Sequence, residues 1–391
     1  MDLKTKDSFD FKSERRSGKL FKRIISGITA AAMAAGLLTT SAFADEEVTY
    51  EHPSDINSVV DIMKNYAFIG FNEVDMNGHQ HINLLVNKVV GLPGDMGIRK
   101  NYAGVYEYYV NKLPDDISGE LKIGENDPCV SNLTLGSDYT ISTNGSERYI
   151  EPNHVKVSPS VTNIKAETAT NKYIDLVNLQ NSFISYSAML AENADSTEGI
   201  GFNGQYDSSS NTWQNINRIN VTAESGTVFY NIDDTNFSKI NSDAIINFSD
   251  TSTASIVLNI DLKNISWDRK PFRLNIGGNQ PTMNEDVILE NNVNRIYYNF
   301  YDSSAADKMT TKTVSMTDAA HGTIIIPKGA AKVGSNWCGV IVANNIGATG
   351  ESHFVGAYNP VVPTSATVDV TVNKVWSEPS GQSHDSYYVK V

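Results

Sequence analysis

Two histidines near the start of the chain, His79 and His81, stand two residues apart. On a β-strand this spacing points both side chains to the same face, and two imidazoles on one face can begin a metal site. A third ligand would have to come from a distant residue, such as His321 or His353, and nothing in the sequence fixes that geometry. Surface or turn histidines are the commoner interpretation, so the sequence predicts no metal site and no cofactor.

Acidic, Asn-containing turns are the next candidates for chemistry. Segments 231–234 and 241–243 could offer oxygens to Ca²⁺, but they lack the spaced D-x-D-x-D-G loop, so turn formation is the simpler interpretation. No carboxylates form a recognisable catalytic pair beside an Arg or Lys, and neither a G-x-S-x-G element nor a Cys/His context for a thiol nucleophile occurs. The sequence therefore predicts no catalytic residues and a protein that is not an enzyme.

The first 44 residues are typical of a secretory leader. A long basic segment precedes the uncharged apolar stretch 24–42, and Ala42-Phe43-Ala44 is a pattern that signal peptidases accept. A retained membrane anchor is the alternative, because the stretch is close to the ~20 residues of a span, but it contains Gly, Ser and Thr. We predict a cleaved signal peptide at 1–44, of a kind that resembles Gram-positive leaders.

The predicted export affects how the two cysteines and the net charge of the chain are interpreted. Cys129 and Cys338, the only cysteines, are candidates for a disulfide in an exported chain, but the sequence gives no geometry and leaves the pairing open. The formal net charge is −14, and no basic patch is evident. Nucleic acid is therefore not an expected partner, and solubility at a cell surface is the simplest reason for the acidity.

The elements that would position these residues are mainly β-strands. Short apolar runs rich in β-branched and aromatic residues are bounded by turn formers, and several are continuous enough to be buried on both faces. We predict a parallel β-coil or solenoid-like domain over 45–360, with an all-β-sandwich as the alternative. The runs are 82–86, 227–230, 244–248, 255–260, 295–300, 322–326 and 339–342.

Two segments have helical periodicity. A short helix is predicted after Pro53 and Ser54, and a long one over 171–193, where apolar residues form one stripe that must pack on a sheet. At the other end, the Pro-containing stretch 361–366 predicts a linker. Residues 367–391 then predict the start of a second domain, a partial immunoglobulin-like β-sandwich.

Ordered motifs in the C-terminal half carry a family resemblance. The run 322–333 reads G-T-I-I-I-P-K-G-A-A-K-V, and it is preceded by Y-Y-N-F at 297–300 and followed by G-V-I-V-A at 339–343 and G-E-S-H-F at 350–354. These motifs resemble the choice-of-anchor A domain, over about residues 56–358. The resemblance implies a bacterial surface protein, often adhesin-like, with C-terminal anchoring modules and no established catalytic residues.

The tail V-D-V-T-V-N-K-V-W at 368–376 resembles the first strand of a collagen-adhesin (Cna) B-type repeat. That resemblance implies Lys374 as a candidate for an isopeptide bond with a partner beyond the chain end; an ordinary strand lysine is the alternative. Together the features predict a secreted, cell-wall-associated adhesin-like or pilus-associated protein that binds a host or matrix protein or a glycan. A purely structural stalk and a carbohydrate-active β-helix enzyme are the alternatives. Segment 322–343 also has some character of an ice-binding coil, but no regular Thr-x-Thr ladder.

Overall fold

The structure is a computed structural model that describes residues 48–52, 56, 58–93, 95–98, 104–124, 129–281, 283 and 293–362. The predicted signal peptide at 1–44, the predicted second domain at 367–391 with Lys374, and most of the predicted linker at 361–366 lie outside these residues. Within the described part of the chain, no helix is long and apolar enough to cross a membrane.

Strands dominate the described residues, and three helices interrupt them. The helices are α1 (Val59–Asn65), α2 (Leu176–Ala191) and α3 (Asp234–Lys239). Strands of the first half are β1 (Thr49–Tyr50), β2 (Phe68–Met76), β3 (His79–His81), β4 (Leu84–Gly91), β5 (Asp95–Met96), β6 (Gly104–Lys112), β7 (Glu120–Leu121), β8 (Cys129–Leu135), β9 (Thr140–Asn144), β10 (Glu147–Glu151), β11 (Val155–Val157), β12 (Asn163–Ala166) and β13 (Asn171–Lys172). Those of the second half are β14 (Ile200–Asp207), β15 (Thr212–Val221), β16 (Thr227–Ile232), β17 (Ile240–Phe248), β18 (Ser255–Asp261), β19 (Asp268–Arg269), β20 (Arg273–Ile276), β21 (Ile296–Tyr301), β22 (Thr313–Met316), β23 (Ala320–Val333), β24 (Trp337–Ala348) and β25 (Ser352–His353).

The central feature is a ladder of ten parallel strands, in the order β12-β8-β6-β4-β2-β24-β23-β21-β18-β16. The order of strands in the ladder does not follow their order along the chain. Strand β2 pairs with β24, with Phe68 opposite Ile341. Strands β4, β6, β8 and β12 follow outward from β2, and strands β23, β21, β18 and β16 follow outward from β24. The first and last parts of the domain therefore meet in the middle of the ladder.

Further sheets complete the coil. Strands β14-β15-β17-β20 form one, in which only the β14–β15 pair is antiparallel. Strands β7-β11-β10-β9 form another, and the short strands β25, β3 and β5 continue from the start of β24. The sheets pack around one apolar core, whose fully buried members include Trp267, Trp337 and Tyr298. Parallel pairing of the long ladder confirms the predicted coil and does not fit a sandwich of antiparallel strands.

Helix α2 lies on the outer face of the ladder, over β2, β18, β21 and β23. Its stripe Leu179, Phe183, Tyr186 and Leu190 is buried in a second apolar core, as predicted. The helix is shorter than the predicted 171–193, because the side chain of Asp175 accepts hydrogen bonds from the amides of the second and third helical residues and so begins it there. The preceding residues pair with β1 instead.

The structure explains why the motifs at 322–333 and 339–343 both begin with glycine. Gly322 and Gly339 are in register on β23 and β24, with φ of 148° and 149°. A Cβ on Gly339 would lie 2.0 Å from the carbonyl oxygen of Gly322. Both the left-handed backbone and this close approach require glycine.

Candidate functional site

A polar groove of about 590 Å³ lies on the outer face of β6, β8 and β12, away from the strands that α2 covers. Parallel pairing places Glu107, Asn132 and Asn163 side by side, one on each strand. The amide of Asn163 donates to the side-chain oxygen of Asn132 at 2.6 Å, and the amide of Asn132 donates to Glu107 at 2.7 Å. The three side chains are therefore held as an ordered polar row.

An ion pair borders this row. Lys165 Nζ lies 2.7 Å from a carboxylate oxygen of Glu51, and Asn171 donates to the other oxygen of that carboxylate. These hydrogen bonds, that of Lys165 first, hold the pKa of the Glu51 carboxyl below its usual range. The charges of Glu51 and Lys165 offset each other, so Glu107 leaves the groove with a small negative excess.

Tyrosines make the floor of the groove. Tyr173 lines it and stacks on Tyr109, with ring centroids 5.0 Å apart and planes inclined by 10°. The hydroxyl of Tyr173 bonds to that of Tyr66, and its backbone amide donates to Glu167 at 2.7 Å. Burial, with the nearby Glu167 carboxylate, raises the pKa of Tyr109. The Tyr109 phenol therefore stays neutral beneath the Tyr173 ring.

A smaller depression of about 230 Å³ adjoins the groove and shares Glu107 with it. Tyr106 and Phe354 meet there edge to face, with centroids 6.5 Å apart. Val105 is 63% exposed beside them. The outer surface thus combines fixed hydrogen-bonding groups with an exposed valine and two half-buried aromatic rings, a composition that suits a small-molecule or glycan site.

The histidines that the sequence singled out are placed elsewhere, at the short strands β3 and β25. His81 and His353 are in register on these neighbouring strands and are buried, while His79 is exposed. Across β23, β24, β25 and β3, one register position is occupied in turn by His321, Cys338, His353 and His81. The expectation of surface histidines was wrong for His81, His321 and His353.

A carboxylate joins two of these histidines. One oxygen of Glu351 lies 3.5 Å from His81 Nδ1 and 3.6 Å from His353 Nε2. The two imidazole rings meet edge to face at 5.0 Å. Of the two distant histidines considered from the sequence, His353 is therefore the neighbour of His81, whereas His321 lies three strands away. The sequence did not suggest Glu351 as a possible third ligand, although a residue two positions before His353 in an extended chain lies on the same face.

The structure does not join the two cysteines, and the disulfide considered from the sequence is not formed. Strands β2, β4 and β6 lie between those of Cys129 and Cys338, a separation of roughly 19 Å at the usual strand spacing, far beyond disulfide reach. Cys129 Sγ donates to the carbonyl of Ile98 at 3.5 Å, and Cys338 Sγ lies 4.0 Å from the sulfur of Met283.

The parallel coil with its packed helix is a β-solenoid-like domain that carries a polar groove on its outer face. Comparison with known families agrees: a family model described as "Putative Ice-binding-like adhesive domain" matches residues 59–354. The chain belongs to this family of adhesive domains. A search of curated proteins found no match.

The match covers the whole coil, from helix α1 to the strand β25. It supports the adhesin-like surface character that the sequence motifs implied. The choice-of-anchor A and B-type resemblances are finer statements, which stay predictions. Sequence reasoning did not find the polar row, because Glu107, Asn132 and Asn163 come from runs whose register only the folded ladder sets.

Proposed function

We propose that the protein is a secreted, non-catalytic adhesin-like protein of a Gram-positive cell surface, and that it binds a neutral glycan in the groove over β6, β8 and β12. The observation that carries the proposal is the row Glu107, Asn132 and Asn163, fixed by hydrogen bonds of 2.7 and 2.6 Å on an exposed sheet face. Adhesive-domain membership supports the same class of function.

Chemistry favours a glycan as the ligand. Amide and carboxylate groups together offer both donors and acceptors, which is what a sugar hydroxyl needs, since it donates and accepts at once. The small negative excess from Glu107, beside the paired Glu51 and Lys165, favours a neutral or amino sugar over an acidic one. The exposed Val105 and the half-buried ring of Tyr106 would contact the apolar face of a sugar ring.

The groove differs from what ice recognition would require. Its aligned outward side chains are a carboxylate and two amides, held to one another, whereas an ice-binding coil presents a regular threonine array. The family description therefore supports the adhesive part of the proposal, and the groove supports the choice of a glycan.

Attachment to the cell wall is part of the same proposal. The B-type resemblance around Lys374 and the predicted leader at 1–44 support a chain that is exported and then held by a C-terminal module. In that arrangement the coil presents the groove to a host or matrix glycan, and the second domain serves as a stalk.

A glycan array with the purified chain tests the proposal. We expect saturable binding to a subset of neutral or amino-sugar glycans, lost in Glu107→Gln and kept in Asn220→Ala, whose side chain lies in an Asn row on the separate β14–β20 sheet. Binding to proteins of the matrix but to no glycan would contradict the choice of ligand. Release of sugar from a polysaccharide panel would contradict the non-catalytic assignment.

A further inference from the structure

The side chains of His81, Glu351 and His353, at strands β3 and β25, hold their potential metal-ligand atoms close together. Nδ1 or Nε2 of His81 and His353 and a carboxylate oxygen of Glu351 all lie within 4.8 Å of one another. The two contacts to Glu351 are 3.5 and 3.6 Å, and both reach the same oxygen. The groove of the proposed function lies on other strands, so this cluster is a separate feature.

The spacing fits coordination by a small cation. Zinc binds imidazole nitrogen and carboxylate oxygen at 2.0–2.2 Å, so two ligand atoms of a tetrahedral site lie roughly 3.4 Å apart. The two nitrogen–oxygen distances in the structure are within a few tenths of an ångström of that value. The ligand nitrogens of the two imidazoles lie within 4.8 Å of each other, so binding would draw them closer together.

Burial and charge point the same way. His81 and His353 have only 4% and 7% of their side-chain surface exposed, and Glu351 has 36%. Two neutral imidazoles and one carboxylate can share a divalent ion at the surface end of the cluster, with the partly exposed Glu351 marking the route by which the ion enters. Two histidines and one carboxylate are a donor set used for zinc and for other divalent transition metals.

We propose that His81, His353 and Glu351 bind a divalent transition-metal ion of the zinc type, with a water molecule completing the coordination. The ion would act as a clamp. Strand β25 has only two residues, and it is held to β3 by short pairing and by the 2.9 Å hydrogen bond from the amide of Phe354 to the carbonyl of His81. A metal bridging Glu351 and His353 to His81 would lock the last strand of the coil to one of the first.

Titration calorimetry of the full chain tests this site. After removal of metals with a chelator, we expect Zn²⁺ to bind one-to-one and to raise the melting temperature by about 5 °C at saturation, whereas Mg²⁺ does neither. His353→Ala and Glu351→Gln should weaken Zn²⁺ binding at least tenfold. His79→Ala is the matched control, because His79 lies two residues from His81 and is exposed; it should bind as the wild type does.

Spectroscopy keeps the proposal testable if a variant fails to fold. Co²⁺ added to the metal-free wild type should give visible absorption bands of a four- or five-coordinate ion, without the near-ultraviolet band of a thiolate ligand. A thiolate band would assign the ion to Cys338 or Cys129 and overturn the proposal. No Zn²⁺ binding by the wild type, or an equal loss in His79→Ala, would overturn it as well.

Discussion

Ser187 on helix α2 donates a 2.6 Å hydrogen bond to the side-chain oxygen of Asn299, a fully buried residue in the middle of β21. The amide of Asn299 donates in turn to the Ser187 carbonyl at 3.0 Å and to Asn259 on β18 at 2.9 Å. Asn259 donates to the Leu190 carbonyl and to Asn231 on β16. This row of asparagines fixes the position of the helix along the ladder, which its apolar stripe alone would leave free to slide.

Replacing Asn299 by alanine should therefore destabilise the domain strongly. The change leaves Ser187 and Asn259 with buried polar atoms that have lost their partner, at a cost of about 2–4 kcal/mol. Urea unfolding measures it. Asn203→Ala is the control, because Asn203 belongs to the exposed row on β14, and we expect less than about 0.5 kcal/mol there. Equal losses would show that the buried row does not hold the helix.

Gly339→Ala should lower the free energy of unfolding more than most substitutions that add a single methyl group. The added Cβ would meet the Gly322 carbonyl oxygen at 2.0 Å, on a residue with φ of 149°. We expect a loss above about 2 kcal/mol in thermal or urea unfolding.

Gly347→Ala, farther along the same strand, is the matched control. Its added Cβ would have the side chain of Lys332 as its nearest neighbour, at an ordinary 3.6 Å, so its stability should stay close to that of the wild type. A tolerated Gly339→Ala would mean that the two strands do not approach as closely as described.

Glu51, at the edge of the groove, should make the stability of the protein depend on pH in the acidic range. Its pKa lies below the usual range, so its contribution to stability is fully present above about pH 4 and is lost as the pH falls through the lowered pKa. A carbon-13 NMR titration should give Glu51 a midpoint below that of an ordinary glutamate, and Lys165→Met should raise it. A wild-type midpoint at or above the ordinary value would contradict the described ion pair.

Both cysteines should stay reduced in the folded protein, although the chain is expected to be exported. Under non-reducing denaturation, mass spectrometry after alkylation should show two labelled thiols, because Cys129 and Cys338 lie on strands with three others between them. Folded protein should label slowly, since both side chains are buried. An intact mass two daltons lower, with no labelling, would show a disulfide and a different strand order.

Much of this architecture could be predicted from local patterns. Continuous apolar runs bounded by turn formers predicted parallel strands, and the stripe from Leu179 to Leu190 predicted the packed helix, because both depend on nearby residues. The order of the ladder could not be predicted. The pairing of Phe68 with Ile341 joins segments that are distant in the chain, and so does the pairing of β3 with β25, which brings His81 beside His353.

The sequence contains a repeated pattern from which the buried asparagine row could have been predicted. Asn231, Asn259 and Asn299 each stand directly before a large apolar residue at the end of a strand run. Such a repeated position in parallel strands becomes a column when the strands align in register. In the outer row, Asn132 and Asn163 likewise stand directly before Leu133 and Ile164, but the third member is a glutamate, Glu107, so the repeat is weaker there.

The most direct test of the proposed function is the affinity of a glycan found on the array for three forms of the protein. By titration calorimetry, Asn132→Ala should weaken binding roughly tenfold, about 1.4 kcal/mol, because Asn132 links Glu107 and Asn163 in the groove. Asn220→Ala should bind as the wild type does. Equal affinities for all three proteins would contradict the assignment of the adhesive site to this groove.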